Sequence, residues 1–418
     1  MNSLDPKVIT FGCRLNAYES EVIGRVALEA GLQDVVIFNT CAVTAEAERQ
    51  ARQAIRRARR KRPNARIVVT GCAAQIHGPK FLGMPEVDQV IGNSEKLKSS
   101  AYAAGSSEID VRDIMKVQQA AGVQAETYGS RTRAFLRIQT GCDHRCTFCV
   151  IPFARGPNRS IPINEIVSEA KRLVDSGYRE VVLTGVDIGN YGEDFVKRAS
   201  LADVIGSLLA SVPSLSRLRI SSIDPACIDE NICRLFADEE RLMPHLHLSL
   251  QAGDDLTLRR MRRRHKRADA VDLCARLRAL RPDIVFGADF IAGFPTETDK
   301  MFSNTRSIID DCGLTFLHVF PYSERPGTPA ARMPLVPVPV RRNRARILRA
   351  EGARVLDQFL DSCIGSVAQV LLEEKNSGRS ERFAPIKLSG AFKGNPGSIH
   401  HVNIVGRDKG NLIGKCAE

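Results

Sequence analysis

Apolar residues in the first hundred positions come in short runs, separated by stretches with helical spacing. Runs at 7–10, 35–38, 66–70 and 88–91 predict strands, and 18–30, 45–62 and 76–82 predict the helices between them. Strands that alternate with helices imply βαβ units and a parallel sheet. Pro63 and Asn64 form a clear stop for the second helix. The stretch 99–130 has no regular apolar repeat, is rich in Ala, Gly and Ser, and reads as a linker.

A longer alternating series follows. Strands are expected at 134–139, 180–183, 218–220, 246–250, 284–291 and 316–320, with helical patterns between them, as at 164–176 and 299–312. Six strand–helix units without a return hairpin predict an open, partial (β/α)6 barrel, since a complete one needs eight. A basic amphipathic helix covers 341–360. Beyond it, short strands at 367–372, 384–388, 400–405 and 411–415 are separated by Gly, Asn and Ser, a pattern that fits a small antiparallel β-barrel. The expected organisation is therefore α/β: a parallel-sheet domain over 1–98, a linker over 99–130, a barrel over 131–360 and a small β-barrel over 361–418.

Composition narrows this only a little. A length of 418 residues suits two or three domains. Hydrophobic residues at 43% supply substantial cores and argue against a disordered chain. No run approaches the roughly 18 apolar residues of a membrane span, and the start MNSLDPKVITFGC lacks the features of a signal peptide. A cytoplasmic protein with no membrane partner is expected. Lys and Arg number 60 against 48 Asp and Glu, a net charge of +12 that favours polyanionic partners. Three basic runs, at 49–66, 259–267 and 341–354, read either as solvated helix faces or as a track for a nucleic-acid backbone. Aromatic residues at 6%, with no Trp, argue against extensive base-stacking platforms.

Twelve cysteines without an export signal point to metal rather than disulfides. Cys142, Cys146 and Cys149 have the spacing C-x3-C-x2-C just past the first barrel strand, the end where such folds keep their chemistry. Three thiolates in one loop can hold three irons of a 4Fe–4S cubane, leaving the fourth open to the amino and carboxylate groups of S-adenosylmethionine. Zinc, with His144 as a fourth ligand, is the competing reading. Cys13, Cys41 and Cys72 each follow an apolar strand, so in a parallel sheet they share one edge and their thiols can converge. The alternative is three semi-buried cysteines of an ordinary sheet. Cys227, Cys233, Cys274, Cys312, Cys363 and Cys416 show no ligand spacing.

The Cys142–Cys149 loop, with Phe148 before its last cysteine, resembles the radical S-adenosylmethionine superfamily. Thr184-Gly185-Val186-Asp187, Ser249-Leu250-Gln251 and Gly287 through Pro295 end later strands and are similar to its cofactor-binding segments. The resemblance implies that Phe148, Gly185, Asp187, Ser249, Gln251, Gly293 and Phe294 border S-adenosyl-L-methionine. Phe11-Gly12-Cys13-Arg14-Leu15-Asn16, Asn39-Thr40-Cys41-Ala42-Val43-Thr44 and Pro321 through Ala330 extend the likeness to the methylthiotransferase family, over essentially the whole chain. The first two segments look like the branch that modifies threonylcarbamoyladenosine beside the tRNA anticodon.

That likeness implies two 4Fe–4S clusters, the second on Cys13, Cys41 and Cys72, and a closing TRAM-like RNA-binding domain. It implies that a radical from S-adenosylmethionine activates carbon 2 of the adenine, and that a methylthio group then arrives from the second cluster. The anticodon stem-loop of tRNA and an electron donor such as flavodoxin or ferredoxin are the implied partners; no sulfur donor is indicated. The sheet edge and the barrel mouth are expected to face each other. Arg155 and Arg159, just after the loop, either contact polar groups of substrate or cofactor or are salt-bridged supports. Rival readings are the same chemistry on isopentenyladenosine tRNA or a ribosomal protein, and a non-catalytic zinc-containing RNA-binding protein.

Overall fold

The computed structural model describes residues 5–103, 107–118, 131–390 and 394–416. Five parallel strands open the chain and lie in sequence order: β1 (Lys7–Thr10), β2 (Val35–Thr40), β3 (Arg66–Gly71), β4 (Gln89–Ile91) and β5 (Ile109–Asp110). Helices α1 (Arg14–Glu29), α2 (Ala45–Lys61) and α3 (Cys72–Leu82) connect the first four. Every residue of β2 is buried, as a central parallel strand covered on both faces must be. Thr44 caps α2 by accepting from the Ala47 amide, Glu46 and Glu48 stand in its first turn, and Arg59, Arg60 and Lys61 close it.

Three expectations need correction in this part. Residues 109–110, expected in the linker, instead pair with β4 as a fifth strand. The first helix starts at Arg14 rather than 18, and the third at Cys72 rather than 76, with a kink at His77. Of the expected linker, residues 104–106 and 119–130 lie outside the described residues.

The second part is an arc of six parallel strands: β6 (Arg133–Arg137), β9 (Glu180–Thr184), β10 (Arg217–Ile220), β11 (His245–Gln251), β12 (Val285–Ala292) and β13 (Leu314–Pro321). Single bridges, Leu218 to Leu242 and Ile223 to Leu248, join its two halves. A short antiparallel ribbon, β7 (Gln139–Thr140) with β8 (Arg159–Ser160), stands at the end of β6. Helices α4 (Ile151–Arg155), α5 (Ile163–Asp175), α6 (Leu201–Ser211), α7 (Glu230–Asp238), α8 (Asp255–Met261), α9 (Arg267–Leu280) and α10 (Asp299–Asp311) fill the connections. The largest apolar core lies between these strands and helices, and the partial barrel expected from six units is what forms.

Helix α11 (Val338–Ser362) packs on β13 and leads to a closed five-stranded barrel. Its strands are β14 (Val367–Glu374), β15 (Ser377–Ser380), β16 (Pro385–Leu388), β17 (Ile399–Asp408) and β18 (Asn411–Cys416). The expected all-antiparallel pattern is corrected at one seam, because β16 and β18 run parallel. This barrel plugs the lower end of the six-stranded arc. Phe383 stacks on His245 at 4.9 Å and lies under the guanidinium groups of Arg133 and Arg219, at 5.1 and 5.0 Å. Arg217 donates to the Gln369 carbonyl at 2.6 Å and Arg219 to the Glu381 carbonyl at 3.2 Å.

Candidate active site

The loop that carries Cys142, Cys146 and Cys149 is held from both sides. Gly141 takes φ of 79°, and a Cβ there would fall 1.7 Å from the Pro157 carbonyl oxygen, so only glycine admits this approach. The Cys142 amide donates to the Gly156 carbonyl at 3.1 Å, and the Thr147 amide to that of Met261 at 3.1 Å. Gln139 stitches the loop to the next strand end: its Oε1 accepts from the amides of Val186 and Asp187, both at 2.9 Å, and its Nε2 donates to the Gly141 carbonyl at 2.7 Å.

Polar groups already aim at the three sulfurs. The Ile151 amide donates to Cys149 Sγ at 3.4 Å and Arg263 Nη1 to Cys146 Sγ at 3.4 Å. Cys142 Sγ donates to Asp187 Oδ2 at 3.2 Å. Burial pushes the Cys149 thiol up to about 12, and the neighbouring Cys146 and Cys72 add to that. Cys142 is raised as well, by burial and then by Asp187. Thiols crowded in this way ionise when metal replaces their protons.

The donor set fits iron–sulfur better than zinc. His144, the fourth ligand that zinc needs, has its Nε2 engaged by the Arg262 carbonyl at 2.6 Å. A tetrahedral zinc site with Zn–S near 2.3 Å sets its sulfurs about 3.8 Å apart. Among the described residues, neither cysteine trio brings all three sulfurs within 4.8 Å of one another. Thiolates that each bind a different iron of a cubane have no need to approach so closely.

Cys13, Cys41 and Cys72 stand at the ends of β1, β2 and β3, on one edge of the first sheet. Two glycines let them converge. A Cβ on Gly12 (φ 96°) would meet Cys41 Sγ at 2.9 Å, and one on Gly71 (φ 94°) would meet the Thr40 backbone at 2.4 Å. Burial pushes the Cys41 thiol up to about 12, with Cys72 and Cys13 adding to it, which reflects that convergence. The Val43 amide donates to Cys41 Sγ at 3.5 Å.

The two trios face each other, as expected, and one side chain spans the gap. Arg155 ends α4, six residues after Cys149, yet its Nε donates to Cys72 Sγ at 3.2 Å. Its Nη2 donates to Glu19 Oε2 at 2.8 Å, and its Nη1 and Nη2 also reach Glu19 Oε1 and Asn16 Oδ1. Lys96 Nζ holds Glu19 from the other side at 2.6 Å. Burial alone would raise the Glu19 carboxyl; Arg155 and Lys96 outweigh it and hold it down at about 2. Arg155 is thus a buried support, and Arg159 is buried beside it, donating to its carbonyl. Past β13, Ser323 Oγ accepts from the Ala45 amide at 3.1 Å and Arg325 pairs with Glu48, so the segment from Pro321 to Ala330 docks the barrel on the start of α2.

The remaining expected residues line the same mouth. Phe148 meets Phe294 edge-on at 6.4 Å. Gly185 packs against Gln139 and Ile188, where a Cβ would come within 2.8 and 2.6 Å. Asp187 also accepts from Asn190 Nδ2 at 2.6 Å. The Ser249 carbonyl accepts from Arg263 Nη2 at 2.7 Å, and Gln251 follows a register break with φ of 70°. Gly293 (φ 71°) lets Arg341 pass, where a Cβ would lie 2.5 Å from its Cγ.

Arg263 does not stand out in the sequence, because it sits inside a basic run that reads as a solvated face. Several of its arginines are in fact engaged within the protein. Arg260 donates to Thr296 Oγ1, Arg263 pairs with Asp224 at 2.9 Å, and Arg267 donates to the Gly253 and Asn304 carbonyls. The run at 341–354 is similarly engaged, with Arg344 on Glu297 and Asp299 and Arg349 on the Val319 carbonyl. On α2, Arg57 and Arg60 are exposed and make no side-chain hydrogen bond or ion pair among the described residues, as is also true of Arg259, Arg262 and Arg342 in the other runs. A further cluster absent from the expectations, His247, Asp289 and His318, lies inside the arc.

Comparison with known proteins finds relatives over the whole chain. Residues 136–309 match the Radical SAM superfamily, and residues 6–92 match the uncharacterized protein family UPF0004. The chain is 50% identical to threonylcarbamoyladenosine tRNA methylthiotransferase MtaB of Rickettsia prowazekii, over 99% of this chain and 98% of that protein. It is 37% identical to the MtaB of Bacillus subtilis, over 87% and 84% of the two chains. The tRNA-2-methylthio-N(6)-dimethylallyladenosine synthase of Novosphingobium aromaticivorans is 33% identical, over 100% and 99%. Among solved structures, the radical S-adenosylmethionine methyltransferase TsrM from Kitasatospora setae superposes with a TM-score of 0.58 at 16% identity, over 78% of this chain and 75% of that one, a likeness of fold alone.

Proposed function

The chain belongs to the threonylcarbamoyladenosine tRNA methylthiotransferase family of radical S-adenosylmethionine enzymes, and from that membership we propose how its residues divide the work on N6-threonylcarbamoyladenosine in tRNA. Cys142, Cys146 and Cys149 hold the 4Fe–4S cluster that the superfamily uses, and Cys13, Cys41 and Cys72 hold a second one. The observation that carries this reading is the meeting of the two cysteine trios over Arg155, which comes from one loop and touches Cys72 of the other. When bound, a cubane with one iron free of protein supplies one-electron cleavage of S-adenosylmethionine, the route to a carbon–hydrogen bond too weakly acidic for a general base.

The chain's own side chains position and shield. Arg263 and the Ile151 amide donate to sulfur and so stabilise its negative charge. Gln139 fixes the Gly185–Asp187 turn at the mouth. That turn, with Phe148, Ser249, Gln251, Gly293 and Phe294, forms the S-adenosylmethionine border. The substrate adenine lies between the trios, everted from its loop so that carbon 2 is accessible. The exposed arginines of α2 and the closing barrel meet the phosphate backbone of the anticodon stem-loop. A flavodoxin or ferredoxin supplies electrons. No helix among the described residues is long and apolar enough to cross a membrane, and a cytoplasmic location suits a tRNA enzyme.

Nucleoside mass spectrometry of tRNA tests the reading. A deletion strain should lack the methylthio form of threonylcarbamoyladenosine and no other nucleoside. The intact gene should restore it, and Cys149→Ala and Cys41→Ala forms should not. Restoration by Cys41→Ala would remove the second site from the scheme.

A further inference from the structure

The inside of the six-stranded arc holds a polar group of three that the cysteine chemistry does not use. His247 on β11, Asp289 on β12 and His318 on β13 bring one ligand atom each to within 4.8 Å of the others. One carboxylate oxygen, Asp289 Oδ1, meets His247 Nε2 at 3.1 Å and His318 Nδ1 at 3.2 Å. The rings lie 4.5 Å apart, tilted by 32°. Register and glycine make the cluster possible: Asp289 pairs directly with His318, and Gly287 opposite His247 leaves room where a Cβ would be 2.4 Å from the ring nitrogen.

The group is graded in exposure, with His247 at 5% and His318 at 58%. It therefore has a closed end and an open one. Below it, His245 and the stacked Phe383 seal the arc. Beside it stands Arg14, the first residue of α1 and the neighbour of Cys13, whose charge is felt at both Asp289 and His245. Arg14 is half-buried and makes no hydrogen bond or ion pair among the described residues. Asp289 is already engaged by two imidazoles. A half-buried guanidinium without an acceptor, beside a carboxylate already in use, is matched by an anion brought from outside.

Building on the function proposed above, we infer that this recess binds the threonylcarbamoyl arm of the substrate. Arg14 takes the threonyl carboxylate, His318 the hydroxyl or urea beside it, and Asp289 and His247 hold His318 in place. The recess then separates this substrate from the dimethylallyl nucleoside, whose apolar arm leaves Arg14 and His318 unpaired and dehydrated. Arg14 also adjoins Cys13, so the nucleoside's arm and its ring would be gripped by neighbouring residues of one chain segment.

The test uses the full chain with both clusters reconstituted and three synthetic anticodon stem-loops, identical but for threonylcarbamoyladenosine, dimethylallyladenosine or plain adenosine at the target position. Wild type should bind the threonylcarbamoyl loop about tenfold or more tighter than the adenosine loop, the scale of one charge-assisted contact. Arg14→Met and His318→Ala should bring that ratio to within about threefold, and Arg14→Lys should fall between, since it keeps charge but not the fork. Cleavage of S-adenosylmethionine without RNA, measured in each protein, reports whether the clusters assembled; His318, being exposed, also gives a variant that folds. Unchanged preference in both Arg14→Met and His318→Ala overturns the inference. So does a stoichiometric non-iron metal that His318→Ala removes, because the triad would then be a metal site. Methylthiolation of the dimethylallyl loop by wild type would instead overturn the functional reading, whatever the variants bind.

Discussion

Arg155 donates from Nε to the sulfur of Cys72, although one residue ends α4 beside the Cys142–Cys149 loop and the other begins α3 in the first domain. The same guanidinium grips Glu19, so the distance between the two cysteine trios is set by a buried ion pair. Replacing Arg155 by Met leaves Glu19 with Lys96 alone and removes a donor from Cys72. Breaking one partner of a buried pair costs about 3–5 kcal/mol. Arg155→Met should therefore melt several degrees lower and carry less iron at the Cys13 site. Arg155→Lys should recover part of the stability, while its single ammonium cannot serve Glu19, Asn16 and Cys72 together. Melting curves and iron per chain report this, and a wild-type melting point for Arg155→Met would rule the bracing role out.

Arg263 places a positive charge on Cys146 at 3.4 Å while anchored to Asp224 and the Ser249 carbonyl. Hydrogen bonds and positive charge at a cluster sulfur favour the reduced state. Arg263→Met should assemble a cluster of lower reduction potential and slow the cleavage of S-adenosylmethionine. A redox titration followed by electron paramagnetic resonance measures it. An unchanged potential would reduce Arg263 to a prop for Asp224.

Of the three basic runs, the one on α2 presents Arg57 and Arg60 three residues apart, both exposed and without a side-chain hydrogen bond or ion pair among the described residues. Removing a cation that neutralises one phosphate lowers the slope of log K against log salt by about one. The double substitution Arg57→Ala, Arg60→Ala should weaken tRNA binding several-fold at physiological salt and flatten the slope by about two. Arg346→Ala, whose side chain is taken by Asn343, serves as the comparison and should change neither. Equal weakening in both proteins would mean that the RNA does not cross α2.

These three runs mark where the sequence alone stops being informative. Strand–helix alternation and a cysteine after each of three apolar strands reveal the parallel sheet, the six-unit arc and both trios, because buried strands and their ends leave local patterns. Partnership leaves none. Arg155 and Glu19 are 136 positions apart, and His247, Asp289 and His318 are separated by 42 and 29. Their encounters depend on register between strands and on how the sheets dock. Three strands escape the pattern for a related reason. Ile109–Asp110 and Arg159–Ser160 are each only two residues long, and Ser377–Ser380 turns Gly378 and Ser380 inward, so none carries an apolar stripe. Helix α1 starts early because Gly12 turns the chain and Cys13 stands at the cap without a side-chain hydrogen bond.

Glu21, on the second turn of α1, bears on how stability should vary with pH. It pairs with Arg131 at 3.1 Å, and Tyr178 is the other titrating group against it. Burial nevertheless outweighs Arg131 and pushes the carboxyl from its ordinary 4.5 up to about 7. A carboxyl raised by folding is favoured in its protonated form. Its contribution is fully present below pH 4.5 and is lost as pH rises through 7. Wild type should thus lose about 1–2 kcal/mol between about pH 5 and 8 from this group, allowing for the water that reaches it. Glu21→Gln, which cannot ionise, should lack that share of the loss and be the more stable protein at about pH 8. Melting both proteins side by side at each pH cancels changes common to the two, such as cluster release. Curves that stay parallel from about pH 5 to 8 would show that Arg131 keeps Glu21 ionised throughout.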